Sequence, residues 1–255
     1  MIKKINLTDS FNEKFWNDLQ PGHYDINFHK GKLDNSIKFV WHYLTFLKQQ
    51  KYLTSKINHL DYACGPGTLI GLFSESSSFG YDPSSSQIKY ANSKYSAENK
   101  KFSSNLEDVY KQNKFNIVTI NGLFECLSIE EIKQLLNKLN DSFDDNCKLI
   151  ITTPNYGGFF RIIYYLSTVL KIIDYKEVMK SRFNKNNIKE VFKEDMYKVV
   201  SVNKILNVGA LFAPISASFA VKLEKFIEKI FNNKFGFLIM AEIEIKNNDK
   251  LTLND

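Results

Sequence analysis

Apolar and polar positions alternate in blocks along this chain, and the blocks change period. Short apolar runs fall at Ile57–Tyr62, Phe79–Asp82, Phe115–Asn121 and Lys148–Thr153, with a weaker one at Lys101–Ser103. Runs of this length between Gly, Pro, Asn and Ser predict strands. Between them the apolar spacing lengthens to three and four, which predicts helices at Leu69–Phe73, Ser84–Glu98 and Ser128–Asp141. Ser84–Ser86 and Ser128 offer capping hydroxyls. Glu130 and Glu131 put negative charge in a first turn, where the helix dipole favours it. Strand and helix in strict alternation predict a doubly wound α/β sheet.

The ends depart from that rhythm. Residues 8–19 carry a capped short helix, and QPGHYDINFHKGK reads as a loop. Ser36–Gln49 places Ile37, Val40, Trp41, Tyr43, Leu44, Phe46 and Leu47 at helical spacing on more than one face. After the fifth strand, Gly158–Ile173 and Asn186–Lys193 read as helices. Strands at Tyr197–Leu206 and Phe235–Ile245 flank a helix at Ser216–Phe231. That helix gathers Phe219, Leu223, Phe226 and Ile230 on one face and Lys222, Lys225 and Lys229 on another. The expected arrangement is packing on the sheet. The alternative is contact with an anionic membrane surface.

The 255 residues, 44% of them hydrophobic, suffice for one large domain. Its expected parts are a helical cap (1–50), a core (51–155), a helical insertion (156–195) and the last strands with their helix (196–255). The net charge of +6 comes from scattered lysines, which argues against a nucleic-acid partner. Cys64, Cys126 and Cys147 show neither paired nor metal-like spacing, which suggests a reducing cytoplasm. The most apolar run, Phe159–Ile173, contains Arg161 and falls short of the ~20 apolar residues of a membrane span.

The chemistry concentrates at His59–Thr68, HLDYACGPGT. A buried strand ends in Asp61 and enters a turn where Gly65 and Gly67 permit conformations that a Cβ hinders. The following helix directs its free N–H groups to the same place. An acid before the glycines suits a ligand with an ammonium group better than a pyrophosphate. Asp82 ends the next strand and is placed to accept from ribose hydroxyls, or else to sit in a solvated turn.

LDYACGPGT resembles the first motif of class I S-adenosylmethionine-dependent methyltransferases. Asp61, Gly65 and Gly67 match it, and Ala63 stands where the first glycine falls. The resemblance continues through GYDPSSSQIKYA, FNIVTINGLFECLS and KLIITTPN, and covers roughly residues 20–245. It implies a Rossmann-like, seven-stranded sheet, mostly parallel with an antiparallel last strand. It also implies an N-terminal helical cap and S-adenosylmethionine as cofactor.

Carried over residue by residue, the resemblance assigns Asp61, Ala63, Gly65 and Gly67 to the cofactor, Asp82 to its ribose and Asn105 to its adenine. Asn121 falls where the fourth strand reaches the sulfonium, and Tyr24 lies in a cap near the methionine end. Glu125 is a candidate to face the acceptor. Cys126 replaces the histidine of metal-binding relatives, so no catalytic metal is expected. His29 and His42 are candidate proton acceptors, with a packed core histidine as the competing reading of His42. The implied reaction is methyl transfer to an oxygen or nitrogen of a small hydrophobic, lipid or glycan acceptor. Peripheral membrane contact is compatible with it. A non-catalytic cofactor-binding protein and a dinucleotide-binding oxidoreductase remain the alternatives.

Overall fold

The computed structural model describes residues 19–26, 36–158, 161–162, 165, 179–192 and 196–246. Five strands run parallel in the order β3-β2-β1-β4-β5: β1 (Asn58–Tyr62), β2 (Ser77–Tyr81), β3 (Lys100–Ser103), β4 (Phe115–Asn121) and β5 (Phe143–Pro154). The sheet continues through β7 (Leu238–Ile245) to the edge strand β6 (Tyr197–Ile205), and β7 is antiparallel to both its neighbours. Strand order reverses between β1 and β4, which opens a crevice at their carboxyl ends.

Among the described residues six α-helices flank the sheet: α1 (Ile37–Gln49), α2 (Thr68–Phe73), α3 (Ser85–Tyr95), α4 (Glu107–Tyr110), α5 (Ile129–Leu139) and α6 (Ala217–Phe231). Alternation along the strands divides the core in two. Val118, Ile120, Leu149 and Ile151 face α5, where Leu135 and Leu136 are buried. Ile117 and Ile150 face the opposite way, toward Val40 and Leu44 of α1. α5 begins with a full capping box, Ser128 with Glu131. It buries Ile132, Leu135, Leu136 and Leu139, each contributing about 1.5–3 kcal/mol.

The expected strands and core helices are present and β4 has the expected bounds, but β5 begins five residues earlier than expected and α4 is not among the expected helices. Asn186–Lys193 is instead a 3₁₀ turn, Asn187–Val191. Its buried residues are Ile188 and Val191, three apart, enough for one turn and no more. α6 also differs from expectation. Its buried residues are Ala220 and Glu224, while Phe219, Phe226 and Ile230 are exposed. The expected helix at 8–19 and nearly all of that at 158–173 lie outside the described residues.

Candidate functional site

Asp61, one residue before the end of β1, is almost fully buried, and Thr119 of β4 donates its hydroxyl to it at 2.6 Å. With its proton turned to Asp61, Thr119 Oγ1 accepts from His59 Nε2 at 2.8 Å. His59 Nδ1 then accepts the Ser78 hydroxyl at 3.2 Å. Burial pushes the His59 imidazole down to about 3, so it stays neutral in this tautomer. Burial also pushes the Asp61 carboxyl up to about 7, and nearby Asp82 adds to the rise. The bonds from Thr119 and Asn121 oppose it.

The turn after β1 uses the left-handed region at alternate residues: Ala63 at φ 63°, Gly65 at 52° and Gly67 at 76°. Ala63 adopts this conformation despite its Cβ, at a cost of about 1–2 kcal/mol. The Cys64 amide bonds Tyr81 O at 2.9 Å, which ties the turn to the end of β2. One residue beyond β2, Asp82 Oδ2 accepts the Gly65 amide at 2.8 Å and Oδ1 accepts the Ser84 amide at 2.9 Å. Burial pushes Asp82 up to about 6 against those two bonds. The two glycines serve different ends. A Cβ on Gly67 would stand 2.6 Å from the Phe102 ring, whereas one on Gly65 meets nothing within 4 Å.

At the end of β4, Asn121 Oδ1 accepts from Gln49 Nε2 at 2.7 Å and from Thr152 Oγ1 at 2.6 Å. Gln49 is fully buried, and its Oε1 lacks a hydrogen-bond partner. Such an atom is costly without a donor to satisfy it. Glu125 follows in a 3₁₀ turn, buried, accepting the Thr153 hydroxyl at 2.9 Å. Burial pushes its carboxyl up to about 7. Its backbone carbonyl takes the amides of Lys180 and Ser181, at 2.8 and 3.1 Å. Cys126 is buried beside it, and burial raises its thiol far from ionisation.

The segment 19–26 closes over α2 and α3. Asp25 is fully buried and accepts hydroxyls from Thr68 at 3.1 Å, Tyr90 at 2.6 Å and Tyr95 at 2.7 Å. Next to it, the Tyr24 ring lies tilted against His42 with centroids 5.8 Å apart and carries Lys38 Nζ at 4.2 Å over its face. The Tyr24 carbonyl meets His42 Nδ1 at 3.3 Å. A carbonyl only accepts, so Nδ1 holds the proton and the neutral ring has its lone pair on Nε2. Asn105 follows β3, is exposed, and its Oδ1 accepts the Glu107 amide at 3.2 Å. His29 lies outside the described residues.

Asp61, Gly65, Asp82 and Asn121 thus converge on the crevice, and Tyr24 pairs with His42. Sequence reasoning missed Asp25, Gln49, His59 and Thr119. Thr119 and His59 did leave a trace, as polar residues inside apolar strands. Asp25 and Gln49 left none, since their partners lie 43 to 72 residues away. Among the described residues no three His, Cys, Asp or Glu side chains gather as a metal site.

The methyltransferase-domain family matches residues 41–202. No curated protein matches the chain in sequence. A SAM-dependent methyltransferase from Archaeoglobus fulgidus is similar in structure, with TM-score 0.55 and 18% identity, over 81% of this chain and 94% of that one. The plantazolicin methyltransferase BpumL, solved with SAH, aligns over 94% of this chain and 96% of its own, with TM-score 0.53 and 16% identity. The magnesium protoporphyrin IX methyltransferase of Synechocystis PCC 6803, also with SAH, gives TM-score 0.51 and 12% identity over 83% of each chain. At these identities the likeness is one of fold.

Proposed function

The chain belongs to the methyltransferase-domain family, over residues 41–202, and on that premise we propose that it carries a methyl group from S-adenosylmethionine to an oxygen or nitrogen of a small acceptor. The observation that carries this reading is a buried acid, Asp61, and a half-buried one, Asp82, gathered at one left-handed turn.

The residues fit the cofactor. Asp61 and the unpartnered Gln49 Oε1 are both acceptors, joined through Asn121, and suit an ammonium group. Each Asp82 oxygen accepts one backbone amide, and its second lone pair suits a ribose hydroxyl. The open space at Gly65 admits a ligand against the main chain. Asn105 at the end of β3 is assigned to the adenine, and Tyr24 to the cap over the methionine end.

Bound S-adenosylmethionine supplies a methyl group on a positively charged sulfur, open to direct displacement. The chain's own task is alignment, which is worth on the order of 7–11 kcal/mol for well-held reactants. Asn121, fixed by Gln49 and Thr152, sets the floor of the crevice. His42 takes the acceptor's proton on Nε2, and Tyr24 O orients the ring through Nδ1. Glu125 positions the chain at residues 180–181 through its carbonyl. The apolar residues beyond β5 favour a small hydrophobic, lipid or glycan acceptor.

Calorimetric titration with S-adenosylhomocysteine, NAD and NADP tests the reading. Micromolar binding of the first alone is expected. Binding of a nicotinamide cofactor instead would overturn it.

A further inference from the structure

α6 is built inside out for a helix of a water-soluble surface. The residues it buries are Ala220 and Glu224. Gly209 makes the close approach possible: a Cβ there would meet the Glu224 backbone at 2.6 Å. Glu224 accepts the Gly209 amide at 2.9 Å and the Asn207 side-chain amide at 3.0 Å. Glu228 pairs with Lys48 of α1 at 2.5 Å. Both acids of the helix are therefore turned to protein partners.

The opposite face holds the large apolar side chains. Phe219 is 49% exposed, Phe226 60% and Ile230 55%. At 100° per residue these three fall within about 40° of arc, a single stripe. Phe212 extends the stripe at one end, its ring 6.2 Å from Phe219. Ile215, 73% exposed, lies between them in the chain. Lys222, Lys225 and Lys229 flank the stripe along one side, all exposed.

We infer that this face docks the protein on an anionic phospholipid surface, with the stripe in the headgroup–acyl boundary and the lysines on the lipid phosphates. An apolar stripe beside cations, on a helix lying in the surface plane, is the geometry of interfacial helices. Aromatic side chains favour that boundary. Among the described residues no helix is long and apolar enough to cross a membrane. An antiparallel pairing of this face with that of a second copy would set the same lysines against each other. Docking also has a defined bearing on the crevice. Lys48 holds α6 through Glu228, and the next residue, Gln49, holds Asn121.

The test is co-sedimentation of the full chain with vesicles of phosphatidylcholine, with or without roughly a quarter phosphatidylglycerol. Binding to the anionic vesicles alone is expected, and it weakens with added salt. Replacing Lys222, Lys225 and Lys229 by Gln lowers the partition about 100-fold, near the attraction expected of three surface lysines. The double variant Phe226→Ser, Ile230→Ser lowers it roughly tenfold or more. All five side chains are exposed or half-exposed, and unchanged circular dichroism and S-adenosylhomocysteine binding would certify the variants. Equal binding to neutral and anionic vesicles would overturn the role of the lysines. No binding to either, together with concentration-dependent dimers or binding of an acidic protein through the same residues, would overturn the lipid assignment.

Discussion

Asp82 Oδ2 accepts the Gly65 amide at 2.8 Å, so the acid just past the second strand also closes the turn that follows the first. One carboxylate therefore has a structural and a ligand-facing task. Asp82→Ala is expected to weaken S-adenosylhomocysteine binding by about 1–3 kcal/mol, the scale of lost hydrogen bonds to a charged group. Calorimetry on a folded variant reads this directly. Unchanged affinity would remove Asp82 from the site.

Asp61 and Asp82 make the free protein sensitive to pH. Burial raises them to about 7 and about 6. The folded state binds their protons more tightly than the unfolded state does. Their contribution to stability is therefore full below about pH 4 and is lost as pH rises through about 6 to 7. An ammonium-bearing ligand favours the ionised Asp61 and reverses the trend. The melting shift given by S-adenosylhomocysteine should be larger at about pH 8 than at about pH 5.5. Asp61→Asn should flatten that difference. Equal shifts at both pH values in the wild type would sink the idea.

The two glycines should separate stability from binding. Gly67→Ala places a Cβ 2.6 Å from Phe102 in a left-handed residue, and is expected to destabilise by about 2–4 kcal/mol. Gly65→Ala meets open space, so its stability cost stays near 1–2 kcal/mol, roughly that of the backbone alone. Its larger effect should fall on cofactor affinity. Urea unfolding and calorimetry on the pair decide the matter, and loss of affinity without destabilisation in Gly67→Ala would contradict it.

Asp25 holds the segment 19–26 onto the core. Asp25→Ala strands the hydroxyls of Thr68, Tyr90 and Tyr95, and is expected to cost about 2–4 kcal/mol. Burial, with Asp25 beside it, holds the Tyr90 phenol well above its usual range, so the tyrosine stays a donor. Limited proteolysis should cut the variant earlier near residues 19–26. A cleavage pattern like the wild type's would mean that other contacts hold the segment.

His42→Ala should lower kcat by about 100-fold or more and leave KM for S-adenosylmethionine little changed. A variant with kcat intact would return His42 to a packing role beside Tyr24 and Phe46.

What the sequence determined by itself was local. Phe115–Asn121 is a strand because five of its seven residues are apolar or β-branched and its neighbours break the run. Ser128 and Glu131 start a helix because their capping groups lie within one turn. Asp61 and the glycines announce a ligand turn because acid, turn and helix start are contiguous. Tertiary structure decided whatever depends on partners far along the chain. Helical periodicity in Ser216–Phe231 reveals an apolar face, but only the fold turned that face outward, by burying Ala220 and Glu224, the latter against Asn207 and Gly209 in the turn after β6. Asp25 found its tyrosines, and Gln49 found Asn121, only once the sheet had closed. The reason is physical: a periodic pattern reports that a surface must be satisfied, and the packing of distant elements determines by what.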